Sequence, residues 1–90
     1  MMRLDAYLKR SRLIKRRPLA KQYCDRGVVK VNGTVAKAAR VVRENDELEL
    51  DLPNLVLRVR VLRVPEERQP RGPEEPLYSL LSRETKNPFA

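Results

Sequence analysis

The chain has 90 residues, of which 41% are hydrophobic and 36% charged, with a formal net charge of +8, no histidine and one cysteine. That length closes one small domain, and the composition is globular rather than disordered. The missing histidine removes the commonest metal ligand and general base, and a lone cysteine excludes an internal disulfide.

The first helix is expected over Arg3 to Arg10, where Leu4, Tyr7 and Leu8 recur at helical spacing and form one apolar face. Arg3 and Arg10 share a stripe beside Tyr7. A second helix opens where Pro18 takes the first helical position, its absent N–H costing nothing there, and closes at Gly27, which suits a left-handed C-terminal cap. Between them Leu19, Ala20, Tyr23 and Cys24 form the inner face, and Lys21, Gln22, Asp25 and Arg26 the outer one. Tyr7 and Tyr23 are read as core rather than as base-stacking platforms, and Cys24 as a buried small hydrophobe.

The period then changes to two. Val29 and Val31 alternate with Lys30, and Asn32-Gly33 marks a hairpin, because a type I′ turn requires positive φ at both central positions. Thr34 and Val35 begin the return strand, and 36–43 reads as an irregular connection whose Ala38, Val41 and Val42 seek the core. Glu44-Asn45-Asp46 is a turn, Asn entering the left-handed region cheaply. Leu48, Leu50 and Leu52 alternate with Glu47, Glu49 and Asp51. After Pro53-Asn54 a longer strand places Leu55, Leu57, Val59 and Val61 on one face and Arg58 and Arg60 on the other, the latter expected to pair with Glu47 or Glu49.

Pro65 ends that strand. Four prolines and Gly72 between residues 65 and 76 predict an extended linker, and Leu77, Leu80 and Leu81 mark a short helix over 77–84. The fold class is therefore α+β: two short N-terminal helices on a small, mostly antiparallel sheet, with residues 1–64 as the domain and 65–90 as an extended tail.

Charge is divided unequally along this plan. Residues 1–43 hold thirteen Lys and Arg against Asp5 and Asp25, whereas 44–90 hold seven against ten acids. The run from Lys9 to Lys21 alone has seven cations and no acid. Such a run is tolerated in a small domain where it faces solvent or an anionic partner, and nucleic acid is the first partner to consider. Arg presents flat forks that engage two phosphate oxygens, so the binding surface is assigned to Arg3, Arg10, Arg12, Lys15, Arg16, Arg17 and Lys21. Asn32 joins it secondarily, through the exposed amides of its turn.

Enzyme activity is not expected, since there is no zinc-type cysteine pair, glycine-rich phosphate loop or serine motif with a base. The acids from Glu44 to Asp51 keep a strand edge soluble, so neither a metal nor another cofactor is assigned. No apolar run approaches the roughly 18 residues of a spanning helix, and Met1–Lys9 lacks the apolar stretch of a signal peptide. A cytoplasmic location without membrane contact is expected.

Arg3-Leu4-Asp5, the span Arg17 to Gly27 with Ala20 inside it, Val29-x-Val31-Asn32-Gly33 and Asp46-x-Leu48, in this order and spacing, resemble the S-four RNA-binding domain, the family named from small-subunit ribosomal protein four. The resemblance covers roughly residues 2–52. Two departures stand out: Asn45 where many members have Gly, and Arg16 where a capping Ser often precedes the arginine. The resemblance implies an alpha-L-type RNA-binding fold, with Arg3 and Arg17 as the leading contacts and Asp5 orienting an arginine or accepting from an RNA hydroxyl. The opening MRLDAYLKRSRLIKRRPLAK is most similar to the small bacterial ribosome quality-control branch. That likeness implies a monomer when free, which on stalled, split large subunits binds large-subunit rRNA and peptidyl-tRNA and supports alanine tailing by a second factor. Three other readings fit parts of the chain: a heat-shock-type factor rescuing dissociated large subunits, a winged-helix DNA-binding regulator, and an adaptor docking a protein through Leu77, Tyr78, Leu80 and Leu81.

Overall fold

The computed structural model describes residues 2–65 and 76–86. Helix α1 runs Leu4–Arg10 and α2 runs Arg17–Asp25. The strands are β1 (Met2–Arg3), β2 (Val29–Val31), β3 (Thr34–Val35), β4 (Val41–Val42), β5 (Glu47–Asp51), β6 (Leu55–Val61) and β7 (Tyr78–Thr85). Every ladder is antiparallel: β1 pairs with β4, and a five-stranded sheet has the order β3-β2-β5-β6-β7.

Local chemistry accounts for most of these boundaries. Asn32 and Gly33 have φ of 52° and 84°, and Val31 pairs with Thr34 across them, so the two-residue type I′ hairpin forms as expected. Gly27 closes α2 at φ 76°, just beyond the C-cap Arg26, and Asn45 carries its turn at φ 72°. Asn45 thus supplies the left-handed conformation that glycine gives elsewhere in the family. Arg16 is the N-cap of α2 and makes no side-chain capping bond, so the hydroxyl cap is indeed lost; Pro18 sits in the first turn, one residue after Arg17 opens the helix.

Alternation decides the sheet's faces. Leu48 and Leu50 of β5, Val59 and Val61 of β6, and Val29 and Val31 of β2 are all buried, and they meet Leu4, Tyr7, Leu8, Ala20 and Cys24 from the helices. On the other face Arg58 reaches Glu49 at 3.9 Å, Arg60 reaches Glu47 at 3.1 Å and Lys30 reaches Glu49 at 3.9 Å. Glu47 and Glu49 thus each meet basic partners on that face, as the strand pattern predicts. The connection 36–40 does find the core, with Ala36 and Ala38 buried, before β4 begins.

Two expectations need correcting. Arg3 belongs to β1 rather than to the first helix: its partner is Val41, 38 positions along the chain, a contact that no local periodicity reveals. The short helix expected over 77–84 is instead strand β7. Leu77, Leu80 and Leu81 have helical spacing in the sequence, but in the strand Leu80 and Leu81 are both exposed, at a bulge where Val59 pairs with Leu80 and Arg58 with Ser82. An eight-residue segment too short to be a stable isolated helix finds its backbone partners on β6 instead. The expected linker, 65–76, lies almost wholly outside the described residues, although Pro65 itself is buried.

The return of the chain to β7 is fastened at one atom. The carbonyl oxygen of Leu77 accepts from the Tyr7 hydroxyl at 2.7 Å and from the backbone N–H groups of Leu62 and Arg63 at 2.9 and 3.2 Å. Tyr7 is fully buried, so its hydroxyl needs that partner. Tyr7→Phe leaves the aromatic packing and removes only this bond; it is expected to lower stability by about 1 kcal/mol and to speed amide exchange in β7 more than in β2. Unchanged exchange in β7 would show that Tyr7 does not hold the strand.

Candidate nucleic-acid interface

The site is built around a buried acid. Asp5 lies in the first turn of α1, where the helix dipole favours a negative charge, and only 3% of it is exposed. Its Oδ1 accepts from the backbone N–H of Ala6 at 2.8 Å. Arg3 of β1 meets the same carboxylate side-on, with Nε 3.3 Å from Oδ1 and Nη2 3.4 Å from Oδ2. Arg17, the first residue of α2, brings its Nε to 3.5 Å from Oδ2. One carboxylate therefore ties together β1, α1 and α2.

The two guanidinium groups sit over that carboxylate with about half of each side chain exposed. Arg17 meets Asp5 through its Nε. Planar forks held at one edge and open at the other suit the paired oxygens of a phosphate. The cluster keeps a net positive charge, two cations against one anion.

The remaining expected residues extend this edge unevenly. Arg12, Lys15, Arg16 and Lys21 are exposed, with no side-chain partner among the described residues. Arg12 has φ 66° and donates its backbone N–H to Lys9 at 3.0 Å, so an arginine occupies the left-handed position that ends α1, at a cost of about 1 kcal/mol relative to glycine. Arg10 is half-buried and already engaged.

Asn32 has a different role from the one its turn suggested. Its Nδ2 donates to Asp46 Oδ1 at 3.1 Å, and its Oδ1 accepts from the backbone N–H of Glu47 at 2.9 Å. Asp46 Oδ2 accepts in turn from the backbone N–H of Arg43 at 2.9 Å. The amide is thus a clamp between the hairpin and the turn before β5, with both ends of its side chain occupied.

The sequence reading omitted Lys37, Arg40 and Arg43. All three are exposed, and none has a side-chain partner among the described residues. Two of the three were visible in the pattern, since Lys37 lies between the buried Ala36 and Ala38 and Arg43 follows the buried Val42; Arg40 shares the parity of Ala38 and Val42, so alternation does not reveal it. The backbone N–H of Leu4 donates to Arg40 at 2.7 Å, so Arg40 borders β1 and with it Arg3.

Three acids of the C-terminal half are in ion pairs: Glu47 with Arg60, Glu49 with Lys30 and Arg58, and Asp51 with Lys86. Among the described residues no three Asp, Glu or Cys side chains gather to hold a metal ion, and no helix is long and apolar enough to cross a membrane.

This fold and this motif order define a class. The S4 domain family matches residues 2–48, more than half of the chain, and the chain belongs to that family. Within it, the chain is 52% identical over 65 residues to the RQC P-site tRNA stabilizing factor of Halalkalibacterium halodurans, covering 72% of this chain and 74% of that one. It is 39% identical over 83 residues to the factor of the same name from Listeria innocua, covering 92% and 89%. A solved trimeric structure of Vibrio cholerae heat shock protein 15 superposes with a TM-score of 0.75 at 27% identity, covering 90% of this chain and 82% of that one. Membership of the S4 family replaces the winged-helix alternative.

Cys24 is not part of the interface. Burial first, then the nearby Asp5 and Asp25, push its thiol from 9.0 up to about 11, and burial raises the Tyr7 phenol in the same direction, with Tyr78 adding to it. A raised folded-state value favours the neutral form, so this contribution to stability is complete below about pH 9 and is lost as pH climbs towards 11. Thermal denaturation is expected to show a flat midpoint from pH 7 to 8.5 and a decline above 9 that Cys24→Ala partly flattens. A native thiol that labels readily at pH 8 would contradict the buried assignment.

Proposed function

We propose that this protein is a non-catalytic RNA-binding factor of bacterial ribosome quality control, engaging large-subunit rRNA and peptidyl-tRNA on split large subunits that carry a stalled nascent chain. The observation that carries this reading is the Arg3–Asp5–Arg17 cluster, which presents two anchored guanidinium groups on an edge that also carries Arg12, Lys15, Arg16 and Lys21, exposed and without a side-chain partner among the described residues. The name of the bacterial relatives, a factor stabilizing P-site tRNA, supports the choice of partner. In this role the protein holds tRNA in place by charge and shape while a separate factor adds alanines to the nascent chain.

The likeness to heat shock protein 15 favours a second reading, the rescue of dissociated large subunits. The higher identity to the stabilizing factors favours the first. Sucrose-gradient sedimentation separates them: cosedimentation is expected with large subunits that retain peptidyl-tRNA and not with empty ones, whereas equal binding to both supports rescue.

With about four phosphates neutralised, RNA affinity should fall with log salt at a slope of roughly −3 to −4. Arg17→Glu is expected to abolish association with the large subunit, as read by gradient fractions, with Arg17→Gln, which adds no carboxylate beside Asp5, weakening it while circular dichroism shows the fold retained; an Arg17→Glu chain that still cosediments would refute the assigned face.

Asp5→Asn tests the anchoring. Simple charge counting predicts tighter RNA binding once an anion leaves a basic surface, whereas loss of anchoring predicts weaker binding, by about three- to tenfold. Anisotropy titration with an rRNA hairpin gives the sign, and the expectation is weaker binding.

A further inference from the structure

Beside the Arg3–Asp5–Arg17 cluster lies a shallow depression lined by Asn32, Arg40, Val41, Arg43 and Asp46. The two regions are joined by the β1–β4 ribbon. Arg3 pairs directly with Val41 and Met2 with Val42, and residues opposite one another in an antiparallel ladder project from the same face. Met2 and Val42 are both buried, so Arg3 and Val41 occupy the outward face. Val41 is half-buried there and contributes the depression's apolar wall.

The polar groups of the depression divide sharply into engaged and available. The Asn32 amide is held by Asp46 and Glu47, and both carboxylate oxygens of Asp46 accept hydrogen bonds, from Asn32 and from the Arg43 backbone. These groups form a closed floor. What remains available is the guanidinium of Arg40 and that of Arg43, both exposed and without a side-chain partner among the described residues. The exposed Glu44 beside Arg43 is the nearest acid in sequence without a side-chain partner there. Much of the floor's hydrogen-bonding capacity is taken up within it, while two guanidinium groups without a side-chain partner there fit phosphate oxygens.

We propose that this depression is a second phosphate-binding subsite, in which Arg40 and Arg43 take the sugar–phosphate backbone of the RNA held at Arg3 and Arg17, irrespective of its sequence. The inference rests on the RNA-binding reading above and adds to it a subsite, two contact residues and a mode of recognition. It also gives Asn32 a role: the clamp from Asn32 to Asp46 sets the floor from which Arg43 projects, so Asn32 is a positioning residue rather than an RNA contact.

The test is a salt titration of the whole chain with two RNA hairpins of the same shape, one from large-subunit rRNA and one with its sequence shuffled, read by fluorescence anisotropy. Arg40 and Arg43 contribute to the fold through backbone atoms, the Arg40 carbonyl and the Arg43 N–H. The double variant R40A/R43A should therefore keep the wild-type denaturation midpoint. Its slope of log affinity against log salt should become shallower by about 1.5–2, with affinity near 50 mM salt falling about tenfold and by the same factor on both hairpins. The R40K/R43K variant should recover most of the slope.

A slope unchanged in R40A/R43A, with wild-type binding intact, overturns this subsite and leaves the preceding reading standing. A loss confined to the rRNA sequence overturns the sequence-independent mode and assigns base readout instead. Wild-type protein that binds neither hairpin overturns the RNA-binding reading and this inference together.

Discussion

The carboxylate of Asp5 joins three elements that the chain would otherwise connect only through loops. It begins α1, receives Arg3 from β1 and receives Arg17 from α2, while its own backbone N–H donates to Ala38 at 3.2 Å in the connection before β4. A buried anion is costly unless charged donors surround it, so the geometry of both arginines follows from the burial of one acid. The same contact does structural and functional work: it neutralises the acid and holds two cationic forks at the surface. Flexible arginines would lose side-chain entropy on meeting phosphate; anchored ones have already lost much of it.

Direction comes from where charge is left uncompensated. On the outer face of the sheet Lys30, Arg58 and Arg60 meet Glu47 and Glu49 across neighbouring strands, and exposed pairs of this kind add little stability. They do remove net charge from that face. The helices and the β1–β4 ribbon have few acids: Asp5 and Asp46 are engaged within the structure, and Asp25 and Glu44 are outnumbered by the exposed Lys and Arg around them. The excess of thirteen Lys and Arg over two acids in residues 1–43 is therefore left largely to the helices and the β1–β4 ribbon, which steers an anionic partner there and makes the encounter sensitive to salt.

Much of the local architecture was legible because single residues impose it. Asn32-Gly33 and Gly27 dictate left-handed backbone, Pro18 marks the first turn of α2, and strict alternation in Glu47–Asp51 and Leu55–Val61 separates wet from dry faces. Strand β7 was misread for an equally physical reason. Its apolar positions carry both a helical spacing and, with a bulge, a strand register, and only the free edge of β6 and the buried Tyr7 hydroxyl decide between them. Local propensity in so short a segment is a weak determinant beside a ready-made hydrogen-bonding partner.

The candidate site divides along the same line. By itself the sequence determined the sign of the partner, the basic edge and the prominence of Arg3 and Arg17, because charge and motif spacing are written in the order of residues. Only the tertiary structure decided that Asp5 is buried beneath both arginines, that Asn32 is a clamp, and that Arg40 and Arg43 join Arg3's side of the molecule. Each of these depends on contacts between residues far apart in the chain, such as Arg3 with Val41 and Asn32 with Asp46. Such contacts are set by how the buried apolar faces pack together, and no window along the sequence contains both partners.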